Sequence, residues 1–330
     1  MILRSGESVS DFLIRNATYV IFAAVLLYFA VQNIVFLTPE NLSNIIKQSS
    51  FIGIAAIGMT FVLLTGGIDL SVGAVMFLAP LIAGFAMERL GLSVPMGLVV
   101  ALGVGLVCGS INAIVIVWLK VIPFIVTLAT MFLFRGFGTW LNNSQQFDFR
   151  DDMRVFGLSK LLGIPTPVIF FALVAIVASI FLTGTAFGRQ LYAVGNDKEG
   201  ARKAGLGVDR ITASVYLTSS VCSALSGFVL IAQIGRLDAG FGEGKEFDVI
   251  AASVLGGASL FGGIGTAWGA VVGATLIQTV QSGLSFTGVN LYAQPIVQGG
   301  IILLAVFVDG IREKKLIAMF KRNIRPMAES

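Results

Sequence analysis

Hydrophobic positions along this chain come in long blocks, neither alternating nor confined to narrow helical stripes. The forty residues 48–87 carry a single charge, Asp69. A bilayer span takes roughly 20 residues, so this block predicts two spans with a break between them. The break reads Gly66-Gly67-Ile68-Asp69-Leu70-Ser71-Val72-Gly73. Paired glycines interrupt the helix, and Asp69 and Ser71 place polar groups at the interruption. Broken helix at membrane depth persists only where protein buries it or where it lines a wet cavity. An ionisable residue there is costly and marks a functional position. A plainer reading is compatible with that one. In it the glycines form a tight turn at the membrane surface, near a cytoplasmic mouth, and Asp69 caps the following helix.

The same block pattern predicts spans over 17–36, from a short loop containing Pro39, Glu40 and Lys47 to Thr65, from the break to Met87, and over 94–119, 167–183 and 211–234. A span over 121–134 is bounded by Lys120 and Arg135, and it requires Arg135 to snorkel or to face the interior. Residues 249–308 are uncharged and have room for three spans, the first of which (249–261) is short enough only to dip into the bilayer. Gly105-x-x-x-Gly109 with Ala113 offers a small-residue helix face, although a chain with 39 glycines also produces that pattern by chance. Polar stretches fall at 142–166, 188–210 and 235–248. The expectation is an all-α polytopic membrane protein with about ten transmembrane helices in a single domain, nine and eleven being the neighbouring counts. It consists of a polar head (1–16), a membrane region (17–310) and a basic tail (311–330). Gly66-Gly67-Ile68-Asp69-Leu70 is echoed by Gly256-Gly257-Ala258-Ser259-Leu260, a weak trace of a duplicated half.

Composition strengthens the membrane assignment: 56% of residues are hydrophobic and 12% charged, about half the charge of soluble domains. With no histidine, histidine catalysis, proton relay and metal ligation are excluded. Cys108 and Cys222 lie in apolar runs and read as packing residues. No basic stripe interleaved with aromatics points to nucleic acid. The first apolar run is too long for a signal-peptide core and ends without an Ala-x-Ala site, so no cleaved leader is expected. The net charge is only +4, but its placement is informative. With ten spans, the side holding both termini collects two basic residues in the head, Lys120, five between 189 and 210, and six in the tail. Fourteen of the 22 basic residues therefore lie on that side, which the positive-inside bias makes cytoplasmic.

Chemistry is concentrated in few places. The stretch 195–206 reads Gly-Asn-Asp-Lys-Glu-Gly-Ala-Arg-Lys-Ala-Gly-Leu. Asn196 is a good N-cap, and Glu199 three residues on makes a variant capping box. Asp197 suits the positive end of the helix dipole, and Arg202 and Lys203 suit the other. Gly205 or Gly207 can end the helix in a left-handed conformation. The prediction is a two-turn helix, too short to hold itself folded in water, with Ala201 and Ala204 on a small face. Such a knob suits docking into another protein, and the alternative is a solvated linker. Gly244-Lys245 is no phosphate loop, because Ala239 and Glu246 occupy required Gly and Ser/Thr positions. Any ATP hydrolysis must come from another chain, and no catalytic group, metal or bound cofactor is expected here.

GGIDLSVG, the later VLGGASLFGG, and FGRQLYAVGNDKEGARKAGL followed by VDR together resemble the membrane permease subunits of bacterial ABC importers for monosaccharides of the ribose, arabinose and xylose type. IPFIVTLATMFLFRG, GIPTPV, FDVIAA and ILLAVFVD extend the resemblance over roughly 41–309. It implies residence in the bacterial inner membrane, a second permease subunit, an ATPase pair using ATP and magnesium, and a periplasmic substrate-binding protein. It also implies that 196–206, with Gly195, Asn196, Glu199, Gly200, Ala201, Arg202, Ala204 and Gly205, is the helix that couples to the ATPase. One departure is Gln278-Thr279-Val280-Gln281-Ser282-Gly283-Leu284, where sugar permeases typically carry an asparagine pair before Gly-Leu, and it leaves the substrate open. Pathway or gate candidates are Gly66, Gly67, Asp69, Ser71, Asn112, Thr127, Gln278 and Gln281, with Thr130 and Gln298 as further polar span residues. Each polar residue also suits a helix–helix hydrogen bond. The rival classes are an ion- or proton-coupled carrier using Asp69 and a passive channel, neither of which needs a capped cytoplasmic helix.

Overall fold

The computed structural model describes residues 17–297 together with 299, 300, 303 and 307. The head, the basic tail and Gln298 lie outside the described residues. The helices are α1 (Ala17–Gln32), α2 (Pro39–Leu64), α3 (Val72–Leu90), α4 (Val94–Val117), α5 (Pro123–Leu141), α6 (Asp151–Leu158), α7 (Thr166–Gly184), α8 (Ala186–Asn196), α9 (Lys198–Lys203), α10 (Val208–Ile234), α11 (Lys245–Leu255) and α12 (Ala267–Phe286). A 3-10 turn, Ile34–Leu37, follows α1. Four two-residue strands complete the fold: β1 (Phe147–Asp148), β2 (Lys160–Leu161), β3 (Ile164–Pro165) and β4 (Arg236–Leu237).

Six helices are long and apolar enough to cross a bilayer: α2, α3, α4, α5, α7 and α10. The sequence reading of ten spans meets three exceptions among the described residues. α1 is apolar but 16 residues long. α12, at 20 residues, includes several polar positions. α11 has 11 residues, about 16 Å at 1.5 Å per residue, too short for a hydrocarbon core of about 30 Å. The region expected to dip into the bilayer is thus a half-length helix followed by an irregular segment, 256–266, and then by α12.

The bundle is organised around α2 and α10. Residues 49–65 of the α2 region are buried without interruption, which is what a helix apolar on every side does at the centre of a bundle. α2 begins at a Thr38 cap, whose hydroxyl accepts from Asn41 N–H, with Pro39 in the first turn. α4 reaches α10 through the small-residue pattern that the sequence left ambiguous. A β-carbon added at Gly105 would stand 2.8 Å from the Ala224 β-carbon and 2.9 Å from the Ser220 carbonyl oxygen. One added at Gly109 would stand 2.9 Å from the Leu217 α-carbon. Large apolar side chains on α4, α5 and α7 point outward, among them Val107, Phe132 and Ile180. That surface suits lipid or another subunit.

Arg135 faces inward, the second of the two options its position allowed. Its guanidinium donates to the carbonyls of Ala239 (3.2 Å) and Phe241 (3.1 Å) and lies over the Phe77 ring. β1 pairs antiparallel with β4, Phe147 opposite Leu237, and so ties the polar stretches around 147 and 236 together at one end of the bundle. α9 lies at the opposite end.

Gly105→Val should lower the thermal midpoint of the purified protein, with an overpacking cost of at least ~1–3 kcal/mol. Gly103→Val, where an added β-carbon meets nothing within 4 Å, should leave it unchanged. Equal midpoints for the two variants would contradict the α4–α10 packing.

Candidate functional site

The break between α2 and α3 is the polar centre of the bundle. The last turn of α2 closes with Thr65 N–H donating to Val62 C=O and Gly66 N–H to Leu63 C=O, and Gly66 adopts a φ of +70°. The chain then runs in non-helical form to Ser71, and α3 begins at Val72. Gly67 leaves no room for a side chain, because a β-carbon there would overlap the hydroxyl of Tyr216, itself buried without a hydrogen-bond partner.

Asp69 is fully buried, not set in a surface turn as the plainer sequence reading had it. It also does not cap the helix in the expected way, since Ser71 occupies the cap position. The Asp69 carboxylate serves the turn instead. Oδ1 accepts from Ser71 N–H (3.0 Å) and Ser71 Oγ (2.6 Å), and Oδ2 accepts from Ser219 Oγ on α10 (2.8 Å). The network extends from Ser71 Oγ, which accepts from Asn112 Nδ2 on α4 at 2.9 Å. Thr130 Oγ1 on α5 donates to Asn112 Oδ1 at 2.7 Å, and Thr127 Oγ1 reaches the Ile68 carbonyl at 3.3 Å. Ser219 is the twelfth residue of α10, Thr127 the fifth of α5, and Asn112 lies five residues before the end of α4, so the network sits inside the bundle toward its α9 end.

No basic side chain pairs with Asp69 among the described residues. An isolated buried carboxylate is costly, and hydrogen-bond donors must offset the loss of water. Three donors do so here, and they tie the break to α10 and, through Asn112 and Thr130, to α4 and α5.

The other end of the break meets α8. Leu64 O, one of the orphan carbonyls that any helix leaves at its C-terminus, accepts from Gly263 N–H at 3.0 Å. A β-carbon at Gly195, near the end of α8, would overlap Leu64 O and stand 2.6 Å from Gly263 N. One at Gly262 would stand 2.8 Å from Gly195 O and 3.2 Å from Gly66 N. Tyr192 Oη, one turn earlier on α8, donates to Gly265 O at 2.7 Å. Three backbones therefore meet at glycines: the end of α2, the segment after α11, and the end of α8. The two segments linked by the sequence echo meet here, and they share a local device. Asp69 accepts from the N–H two residues on, and Ser259 Oγ accepts from Phe261 N–H at 3.2 Å.

The predicted helix in 195–206 is present as α9, six residues long, and its cap differs from the expectation. Asn196 closes α8, and Asp197 is the N-cap. Its Oδ1 accepts from Glu199 and Gly200 N–H, each at 3.0 Å. The reason is local: Asp197, not Asn196, has the extended backbone (φ −154°, ψ 103°) that a cap requires. Glu199 lies 3.9 Å from Lys203. Gly205, at φ +82°, ends the helix as expected, with Leu206 N–H donating to Ala201 O. Ala201 is buried against the rest of the chain while Arg202 and Ala204 are exposed, so the expected small face is only half available to a partner. The charged stretch 188–210 also holds a helix that the sequence reading did not separate, α8, anchored by the buried Gly188, Leu191 and Val194.

Of the predicted pathway residues, the structure brings Asp69, Ser71, Asn112 and Thr127 into one network, with Gly66 and Gly67 at its base. Gln278 and Gln281 lie apart from it. They line a cleft of about 310 Å³ between the first turns of α2 and the last turns of α12, at the end of α2 opposite Leu64. Ser219 and Tyr216 went unnoticed in the sequence because α10 carries many small polar residues, and none is singled out by spacing.

A helical bundle built of membrane-length apolar helices, with a polar break buried among them, is the architecture of an integral membrane translocation subunit. The model of the family described as "Branched-chain amino acid transport system / permease component" matches residues 41–306, and the chain belongs to that family. It is 38% identical to the ribose import permease protein RbsC of Bacillus subtilis (strain 168), over 85% of this chain and 88% of that protein. It is 35% identical to the ribose import permease protein RbsC of Escherichia coli (strain K12), over 84% and 88%. It is 32% identical to the xylose transport system permease protein XylH of Haemophilus influenzae, over 85% and 92%. No solved structure matches the chain significantly.

Asp69→Asn should keep the Ser71 contacts through the amide oxygen and cost at most ~1 kcal/mol. Asp69→Leu strands the Ser71 N–H and the Ser219 hydroxyl and should cost roughly 1–3 kcal/mol for each. Thermal unfolding of the two purified variants checks the order. Asn destabilising as much as Leu would show that the carboxylate charge, not the turn, is what the site requires.

Proposed function

We propose that this chain is the membrane permease subunit of an ATP-driven, binding-protein-dependent importer of a small neutral sugar or related polyol. It forms the translocation path and leaves ATP hydrolysis, with its magnesium, to a separate ATPase pair. A second permease subunit completes the path, and a periplasmic protein delivers the solute. The chain is one domain in the bacterial inner membrane, and the ten crossings of this reading add α1, α11 taken together with the irregular segment 256–266, α12, and the uncharged sequence up to 308 to the six long helices. Both termini are cytoplasmic, as the basic-residue bias supports. The printed names of the relatives, ribose and xylose permeases, favour a pentose-like solute.

The observation that carries this reading is the glycine junction. In this reading α9 is the coupling helix seated in the ATPase. α8 leads directly into it and ends packed on the backbones of both membrane breaks. A displacement of α9 would therefore reach Leu64, Gly66 and Gly262 through rigid backbone contact, with no flexible side chain between. A proton-coupled carrier using Asp69 is the rival. It has no use for α9, and it needs a titrating carboxyl where the structure has one already engaged by three donors.

Ala204 is exposed, so Ala204→Glu should leave the permease folded while placing an unpaired charge in a partner cleft. Uptake, and hydrolysis stimulated by the binding protein, should fall by roughly tenfold, a loss of about 1.4 kcal/mol in docking. Wild-type uptake should persist when a protonophore collapses the proton gradient at constant ATP. Unchanged stimulated hydrolysis in the variant would refute the coupling role of α9. Uptake that fails with the proton gradient would favour the carrier.

Ser144 and Glu243 are both exposed near the β1–β4 end. Cysteines placed there should react with an impermeant thiol reagent in cells whose outer membrane alone is permeabilised. Labelling only after inner-membrane lysis would reverse the orientation.

A further inference from the structure

The cleft at the end of α2 opposite α9 has a composition that helix packing does not require. Six primary amides line it: Asn41, Asn44 and Gln48 from α2, Gln278 and Gln281 from α12, and Gln294 beyond α12. Two hydroxyls join them, Ser282 and Ser285, and none of the lining residues is charged. On α12 these positions form a stripe, since 278, 281, 282 and 285 recur at three- and four-residue spacing on one helix face.

Polar side chains inside apolar helices usually bond a neighbouring element, and two pairs here do so, one of them Gln294 Nε2 donating to Ser285 Oγ at 3.5 Å. Ser282 Oγ donates to Asn41 Oδ1 at 3.1 Å. The side-chain amides of Asn44, Gln48, Gln278 and Gln281 make no hydrogen bond among the described residues. Their donors and acceptors face a cleft of about 310 Å³, within the range of roughly 300–1,000 Å³ that small-molecule sites occupy.

We propose that this amide-lined cleft is a binding site for a neutral, hydroxyl-rich solute, the first polar station on the path from the delivering protein. A primary amide carries two donors and an acceptor oxygen, so it can meet an alcohol, which itself both donates and accepts. Two amides from one helix facing two or three from another can grip a polyol by adjacent hydroxyls. The same lining has no charged group to offset the desolvation of an amino-acid zwitterion's ammonium and carboxylate, so it serves a zwitterion less well than a neutral polyol. The cleft therefore favours a sugar over a branched-chain amino acid as cargo. The inference rests on the import reading and specifies where that reading meets its substrate.

A Gln281→Cys reporter tests the cleft directly, because the native Cys108 and Cys222 are buried. In the complete transporter in cells, D-ribose should slow the reaction of this cysteine with an impermeant thiol reagent several-fold, and L-leucine should not. Gln278→Leu/Gln281→Leu should reduce D-ribose uptake by roughly tenfold, the equivalent of about one amide contact or slightly more. Gln278→Asn/Gln281→Asn, which shortens the side chains but keeps the amides, should recover part of it. Surface abundance of each variant, measured by antibody, separates lost binding from lost folding. Equal protection by leucine, no protection by ribose, or uptake unchanged in the leucine pair would overturn the cleft assignment. The import reading is scored separately by whether wild-type uptake depends on ATP. It can fail while ribose still protects the cleft, and it can hold while the cleft proves inert.

Discussion

The constraint on which the rest depends is that a helix broken inside a bilayer must satisfy its freed backbone from within the protein. Between Leu64 and Val72 this chain does so in two ways. At the lower end, the carbonyl of Leu64 takes a hydrogen bond from Gly263, a residue of the second irregular segment. At the upper end, the Asp69 carboxylate takes the Ser71 N–H and anchors the turn to Ser219 of the most central long helix. Local bonds close the last turn of α2 and the Asp69–Ser71 turn, but the Leu64 carbonyl and Asp69 Oδ2 are met by the 256–266 segment and by α10, so the shape of the break depends on both staying in place. That dependence makes the region sensitive to movement elsewhere. It also explains why so many glycines gather there, since only bare backbone lets three chain segments approach within hydrogen-bonding distance.

Asp69 illustrates how an ionisable group can be structural at a functional depth. A carboxylate accepts several hydrogen bonds through one small group, which no neutral side chain of that size does. Serine in its place could accept from the Ser71 N–H but could not also reach Ser219. Asn112 then carries the network outward, accepting from Thr130 while donating to Ser71. The result is a cross-brace linking the start of α3 with α4, α5 and α10. In an apolar bundle, where van der Waals packing alone distinguishes one helix register from another, such a brace fixes register.

Much of this was legible in the sequence because bilayer thickness fixes span length and the cost of charge fixes span boundaries. α3, α4, α7 and α10 fall close to their predicted limits, whereas α2 starts at Pro39 and takes in Glu40 and Lys47, which the sequence reading placed in a loop before it. The break at Gly66-Gly67 and its acid were legible for the same reason. What the sequence did not disclose is long-range pairing. Nothing local ties Ser219 to Asp69, 150 residues away, and the Gly105-x-x-x-Gly109 face, visible by its spacing, carries no mark of α10 as its partner. The cap of α9 was misplaced by one residue because Asn196 and Asp197 are equally good caps by composition, and only the backbone of the preceding α8 decides between them. Ala201 could not be seen to face inward without knowing where α8 docks.

The two polar regions of the bundle differ in chemistry, and the difference follows from their burial. Around Asp69 the carboxylate, Ser71, Asn112, Thr130 and Ser219 are paired with one another, because an unmet donor in hydrocarbon costs more than the order imposed by meeting it. The Tyr216 hydroxyl is the exception. Toward the end of α2 opposite α9, the side chains of Gln278 and Gln281 make no hydrogen bond among the described residues, which is tolerable where water or a solute can reach them. Under the import reading proposed above, the loose amides and the locked network of hydroxyls and one carboxylate would act as successive stations of different character. The element placed to disturb the second is the glycine junction beneath Asp69, where a shift of α8 would act on Leu64 and Gly66 at once.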